Sequence, residues 1–196
     1  MIKTKKQTIT GKNVVLREKT LEDAKDDFKW ESDPELASLD ATSPVTCSFA
    51  RYCSDHAEEL RNSYSASCRF AIDTLDGKHI GNCAYYNISE RNGETELGIM
   101  IGERDYWNKG YGVDVITALL GHIFENTPLR RVYLKTLADN HRAQTCFRKS
   151  GFKPYVRLMR DGHDFLFMEI HRREWPLKQK TQPDSSPETN SNNRKE

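Results

Sequence analysis

Gly110 and Gly112 close the run Trp107-Asn108-Lys109-Gly110-Tyr111-Gly112, whose residue types and placement suit the holding of an anion. A short apolar stretch, Leu97-Gly98-Ile99-Met100-Ile101, precedes the run, and a long one from Val113 to Phe124 follows it. A strand, a glycine turn and a helix leave the first helical N–H groups without intrahelical partners, at the positive end of the macrodipole, where phosphate oxygens are welcome. Glycine brings no Cβ to hold a phosphate away from the backbone. Two better-known phosphate motifs are excluded. A dinucleotide fingerprint needs Gly or Ala three residues after Gly112, where this chain has Val115, and no G-x-x-x-x-G-K-[ST] occurs.

The elements around this run follow from periodicity. Asn13 to Lys19, with Val14, Val15 and Leu16, reads as a strand, and Leu21 to Trp30 as an acidic amphipathic helix with Thr20 as N-cap and Asp23 as its partner three residues on. Asp33-Pro34 and Ser43-Pro44 break the chain, after which Phe49 to Tyr64 is expected to be helical, with Tyr52, His56, Leu60 and Tyr64 near one face. Arg69 to Thr74, His79 to Ile88 and Glu94 to Ile101 form an antiparallel meander turned at Asp76-Gly77 and Asn92-Gly93. The helix Val113 to Asn126 leads through Pro128 to a strand from Arg131 to Leu137, making a right-handed parallel crossover. Asp139-Asn140 starts a helix to Ser150, closed by Gly151, and Asp161-Gly162 turns a last hairpin between Lys153 to Arg160 and Asp164 to His171.

Composition bounds the partners. Thirty Lys and Arg against twenty-nine Asp and Glu give a formal charge of +1, so no global field collects nucleic acid or an anionic membrane; only a local basic patch around Arg157, Arg160, Arg172 and Arg173 stays open. No window approaches the ~20 apolar residues that span a bilayer, and no apolar stretch follows the start Met1-Ile2-Lys3-Thr4-Lys5-Lys6, so neither insertion nor export is indicated. The five cysteines, Cys47, Cys53, Cys68, Cys83 and Cys146, are odd in number and contain no C-x-x-C pair, which points to reduced thiols in a cytoplasm. Cys53 and His56 have a ligand-like spacing but no second pair, so no metal is expected. The expected organisation is a flexible start over 1–12, one domain over 13–176, and a disordered polar tail over 177–196.

Four segments in order resemble the GNAT superfamily of acyl-CoA N-acyltransferases, nearest the branch that acetylates ribosomal-protein N-termini and polyamines. They are Tyr106 to Gly112, Asp139-Asn140-His141-Arg142-Ala143, Lys149-Ser150-Gly151-Phe152, and the closing Met168-Glu169-Ile170 with Glu174-Trp175. The resemblance implies an α+β fold with a mixed six- to seven-stranded sheet, helices on both faces and a central splayed pair of parallel strands. It implies acetyl-CoA as donor, with Ile99, Met100 and Ile101 along the pantetheine arm, Trp107, Asn108, Lys109, Gly110, Tyr111 and Gly112 at the pyrophosphate, and Asn140 and Phe147 beside the cofactor. Splayed strands leave backbone groups that an extended amide-bearing arm satisfies.

The implied reaction is direct attack of a neutral primary amine on the thioester carbonyl, which needs a base for the ammonium, N–H donors for the oxyanion and an exit for the sulfur. The resemblance points to Glu96 as the base, on the strand face opposite Leu97, Ile99 and Ile101, since the alternative position on the next strand is Lys135. Where the family often has a tyrosine acid, this chain has Phe147, which has no proton to give. Either CoA leaves as thiolate or Tyr106 or Tyr111 substitutes. Glu31, Asp33, Glu35 and Asp40 are placed to attract a cationic acceptor, and the stretch from Gly151 to Gly162, which helps wall the acceptor site, looks shorter than in the compared acetylases. The expected partner is a small-molecule amine or a peptide N-terminus, with a homodimer left open. The second reading is a catalytically idle domain of the same fold that senses acyl-CoA or serves in assembly.

Overall fold

Side chains on a strand alternate between two faces, and here the alternation is between a greasy face and a charged one. Val14 and Leu16 point to one side and are fully buried, while Arg17 between them and the turn reaches the other side to bond Asp23 and Asp73. The structure, a computed structural model, describes residues 8–61 and 67–175. In chain order the elements are β1 (Ile9–Thr10), β2 (Val14–Glu18), α1 (Ala24–Glu31), α2 (Pro34–Leu39), α3 (Phe49–Arg61), β3 (Ser67–Thr74), β4 (His79–Ser89), β5 (Glu94–Ile101), α4 (Tyr111–Asn126), β6 (Arg131–Leu137), α5 (His141–Lys149), β7 (Lys153–Arg160) and β8 (His163–His171). They make one mixed sheet of eight strands in the order β1-β2-β3-β4-β5-β6-β8-β7.

The mixed α+β class stands as expected, but the strand number is one higher than the upper figure. The additional strand is Ile9–Thr10, two residues that pair with Leu16 and Val15 and are too few to carry a periodic signal. Its hairpin is tied to the first turn of α4, where Asp114 accepts from the backbone N–H groups of Lys12 (2.8 Å) and Asn13 (2.6 Å). The expected polar tail over 177–196 lies outside the described residues.

One face of the sheet is packed by α4 and α5. Leu119, Leu120, Ile123 and Phe124 of α4 are fully buried in one cluster with Val14, Leu16, Ile72, Leu97, Val132, Leu134 and Met168. Each such side chain contributes about 1.5–3 kcal/mol on leaving water. The other face carries α1, whose Asp27 takes bonds from Asn82 of β4 (2.6 Å) and Lys19 (2.5 Å). A single turn from Leu21 to Asp23 starts that helix, and the Thr20 N–H donates to Asp23 Oδ2 at 2.7 Å, the capping pair expected at that spacing.

Two boundaries differ from expectation. Asp33-Pro34 does not simply break the chain: Asp33 caps α2, its carboxylate accepting from the N–H groups of Glu35 (3.0 Å) and Leu36 (3.1 Å), and Pro34 holds the first helical position, where its missing N–H costs nothing. The α3 helix is described from Phe49 to Arg61, and Tyr64 lies outside the described residues. The α4 helix begins at Tyr111, within the glycine run, two residues earlier than its apolar pattern.

The arrangement that matters for a site is at the centre of the sheet. β5 and β6 run parallel and pair at Glu94 with Arg131, Thr95 with Val132 and Glu96 with Tyr133, and there the pairing stops. β4 continues to pair with β5 as far as Ile101, and β8 continues with β6 as far as Leu137. From Leu97 onward, therefore, β5 has no strand partner on its β6 side among the described residues, and the sheet opens as a V.

Candidate active site

The V widens into a cleft of about 500 Å³. Ile99, Met100 and Ile101 form one wall, Asn140 to Ala143 with Thr145, Cys146, Phe147 and Lys149 of α5 the other, and Tyr106, Trp107, Asn108, Gly110 and Gly112 the end. Leu36, Leu39 and Asp40 reach in from α2 and the residue after it. Of the residues expected at the cofactor, Ile99, Met100, Ile101, Trp107, Asn108, Gly110, Gly112, Asn140 and Phe147 are brought together on this lining; Lys109 and Tyr111 are not on it. Tyr111 instead packs edge-on against Tyr106, ring centroids 4.9 Å apart.

The two glycines of the run have different reasons. Gly110 caps α4 at φ 87°, a left-handed conformation that favours glycine, and it has no side chain to cover the first N–H groups of the helix. Gly112 has an ordinary backbone, but a Cβ there would sit 2.9 Å from Cys146 Sγ, so its smallness lets α4 close on α5. The strand and the loop are joined by Trp107, whose indole N–H donates to the Ile101 carbonyl at 2.7 Å.

Arg142 lies over the same indole, 3.3 Å from the ring centroid, with Arg104 at 5.5 Å. Burial, helped by the nearby charge of Arg104, makes Arg142 less basic than an ordinary guanidinium. A desolvated cation on the lining, without an ion-pair partner among the described residues, favours an anionic ligand. Nothing in the spacing assigned Arg142 a task; its presence beside Asn140 in the helix-opening segment was the available signal. Asn140 is an N-cap, its Oδ1 accepting from Ala143 N–H at 3.1 Å, and Gln144 ties α5 to the end of β6 through the carbonyls of Leu137 (3.1 Å) and Ala138 (2.9 Å).

Glu96 is held near the apex of the V, not on the cleft lining. It is 7% exposed, its Oε2 accepts from Asn87 Nδ2 at 3.0 Å, its Oε1 from the Tyr86 hydroxyl at 3.3 Å, and Lys135 Nζ is 4.0 Å away. Asn87 takes this position from a left-handed φ of 53° at a bulge in β4. Burial, with Glu96 beside it, raises the Tyr86 phenol well above its usual range and keeps it protonated. Gly98 separates Glu96 from Met100 on the same strand face, and the Tyr86 ring lies across it.

The early carboxylates part company. Arg104 binds both oxygens of Asp33 (3.0 and 2.9 Å) and Glu35 (2.6 Å), and Glu31 is turned toward Tyr52, with burial raising its carboxyl. Asp40 alone of the four is on the cleft, where burial raises its carboxyl against the pull of Lys135. The suggested basic patch is dispersed: Arg157 pairs with Asp164, and Arg172 donates to the carbonyls of Phe124, Thr127 and Leu129. His56, far from any ligand role with Cys53, approaches the Thr20 carbonyl at 3.2 Å.

Residues 13–153 match the family model described as an acetyltransferase (GNAT) domain. The uncharacterized N-acetyltransferase p20 of Bacillus licheniformis is 29% identical over 136 residues, 68% of this chain and 75% of that one. A solved structure of spermidine N-acetyltransferase from Vibrio cholerae in complex with CoA and spermine superposes with a TM-score of 0.74 at 19% identity, covering 83% of this chain and 97% of that chain. RimJ of Mycobacterium smegmatis in complex with CoA-disulfide does so at 0.71 and 19% identity, over 87% and 90%. At such identities the likeness of the two structures speaks for the fold.

Proposed function

The chain belongs to the GNAT acetyltransferase family, and on that premise we propose that it transfers an acetyl group directly from acetyl-CoA to a primary amine of a small molecule or a peptide N-terminus. The observation that carries the reading is the opening of β5 from β6 onto the uncovered N-terminus of α4. An extended arm bearing amides gains the backbone partners that β6 does not supply, and a pyrophosphate gains the free N–H groups and the macrodipole. Ile99, Met100 and Ile101 take the arm, Trp107, Asn108, Gly110 and Gly112 the pyrophosphate, and Asn140, Arg142 and Phe147 the opposite wall.

The acceptor approaches from the sheet face that carries Glu96 and Met100. Its ammonium must lose a proton before the nitrogen lone pair attacks the thioester carbon, and Glu96 takes that proton, directly or across the Tyr86 hydroxyl bonded to it. Backbone N–H groups of Ile99 to Ile101 support the negative charge that develops on the carbonyl oxygen. The carbon–sulfur bond then breaks. Phe147 is buried and has no proton to offer, so the sulfur leaves as thiolate, reasonable for a thiol whose pKa is about 8.5, or collects the proton of Tyr106 on the lining.

The five cysteines are free, in keeping with a reducing compartment such as the cytoplasm, and among the described residues no helix is long and apolar enough to cross a membrane. The test is release of free thiol from acetyl-CoA in the presence of polyamines, aminoglycosides, amino acids and N-terminal peptides. Silence across that panel, with no rise in melting temperature on adding acetyl-CoA, would refute the reading.

A further inference from the structure

We infer that the acceptor carries a single positive charge beside an apolar or aromatic group, with Asp40 taking the ammonium, the Phe165–Phe167–Tyr155 shelf taking the apolar group, and Lys135 turning away a second ammonium. This inference rests on the transferase reading and concerns its acceptor side only.

Asp40 is the one carboxylate on the cleft lining among the described residues, and most of the others nearby are engaged. Arg131 consumes two, binding Glu94 and Glu169 at 2.6 Å each. Arg104 consumes Asp33 and Glu35, and Lys29 with the Trp30 indole consumes Glu103 at 2.5 and 3.1 Å. Glu96 is enclosed by Tyr86, Asn87 and Lys135. Asp40 is on the cleft lining within reach of the charge of Lys135, and among the described residues no side-chain hydrogen bond or ion pair reaches its carboxylate. A polyamine needs a carboxylate for each charge it brings out of water, and this site offers one.

The surface leading away from Asp40 is also wrong for a polycation. Lys135 stands next, its ammonium 4.0 Å from Glu96 Oε1 and 5.5 Å over the Phe165 ring. Beyond it on the same face, Phe165, Phe167 and Tyr155 follow one another at centroid separations of 6.5 and 6.2 Å. Phe165 is 7% exposed and forms the floor of this shelf, while Tyr155 and Leu158 at its outer end are 44% and 50% exposed. Leu137 and Lys135 of β6, the strand that bounds the V, pair with Phe165 and Phe167 of β8, so the shelf continues the sheet from that strand. An apolar group bonded near the attacking nitrogen buries itself there while a second ammonium meets Lys135.

The experiment compares kcat/KM of the full chain, at fixed acetyl-CoA, for 2-phenylethylamine, a peptide with N-terminal phenylalanine, spermine and kanamycin. Either of the first two exceeds spermine and kanamycin by at least about tenfold, and whichever leads identifies a free amine or a peptide as the source. Asp40→Asn raises KM for that acceptor about tenfold to a hundredfold with kcat less affected, while acetyl-CoA affinity by calorimetry stays unchanged and reports that the variant is folded. Lys135→Ala narrows the gap by improving spermine. Spermine or kanamycin as the preferred acceptor of the unaltered protein, or an unchanged KM in folded Asp40→Asn, overturns the inference and leaves the transferase reading standing. Acetyl-CoA binding with no amine turned over overturns both.

Discussion

Trp107 donates its indole N–H to the carbonyl oxygen of Ile101 at 2.7 Å, so the last residue of β5 and the glycine run move as one unit. The two halves of the proposed donor site, strand edge and anion loop, are thereby held at a fixed spacing before any ligand arrives, which lowers the ordering cost of binding.

Trp107→Phe keeps a ring beneath Arg142 and removes only this bond. Acetyl-CoA affinity is expected to fall about fivefold, the equivalent of about 1 kcal/mol for one neutral hydrogen bond, with kcat less changed. Calorimetric titration with CoA measures it, and an unchanged affinity would mean that the loop holds its place without Trp107.

Gly112→Ala pushes a methyl to within 2.9 Å of Cys146 Sγ and is expected to lower both stability and acetyl-CoA affinity. Cys146→Ala clears that space, so the double variant recovers most of the loss. Urea unfolding of all four proteins gives the coupling; simple additivity would place the damage elsewhere.

Glu96→Gln preserves the size of the side chain and an acceptor for Tyr86 while abolishing its basicity. A fall in kcat of about a hundredfold or more, loss of the acid limb of the kcat/KM profile and unchanged acetyl-CoA affinity are expected if Glu96 takes the proton. A pH profile of the same shape in the variant would remove it from the reaction.

Acid stability has a specific source in Asp23. Burial opposes its charge, but the Arg17 guanidinium and the Thr20 N–H outweigh burial and hold the carboxyl below its usual 3.8. A folded value below the unfolded one stabilises the protein above the unfolded value, and that contribution is lost as pH falls through the lower folded value. Asp23→Asn therefore flattens the decline of unfolding free energy below pH ~4. Arg17→Met costs up to about 3 kcal/mol near neutrality, because it leaves buried Asp23 and Asp73 without their cation. Urea midpoints across pH decide both.

Legibility followed distance along the chain. The meander, the crossover and the glycine run rest on local patterns, period two in β3 to β5, apolar spacing in α4 and Gly turns between, and a short window contains all of that information. Asp33-Pro34 marks the break after α1 but also caps α2, because the same dipeptide stops one element and starts another, and only the bonds from Glu35 and Leu36 reveal the second role. Glu96 can be placed on a strand face from sequence, but its seclusion depends on a bulge at Asn87 that no spacing announces. Arg142 over Trp107 and Asp40 on the same cleft as Met100 join residues from distant elements, and which charge ends up free depends on how every other charge pairs.

The amino-terminal hairpin has a reach beyond its size. Asp114 stands in the first turn of α4, where a bare carboxylate would repel a polyphosphate approaching the same helix end. The backbone N–H groups of Lys12 and Asn13 occupy both of its oxygens and turn that charge away from the cleft. On the proposed reading the hairpin thus holds a like charge off the donor, and a tag or truncation that disturbs residues 9–13 is expected to weaken acetyl-CoA binding.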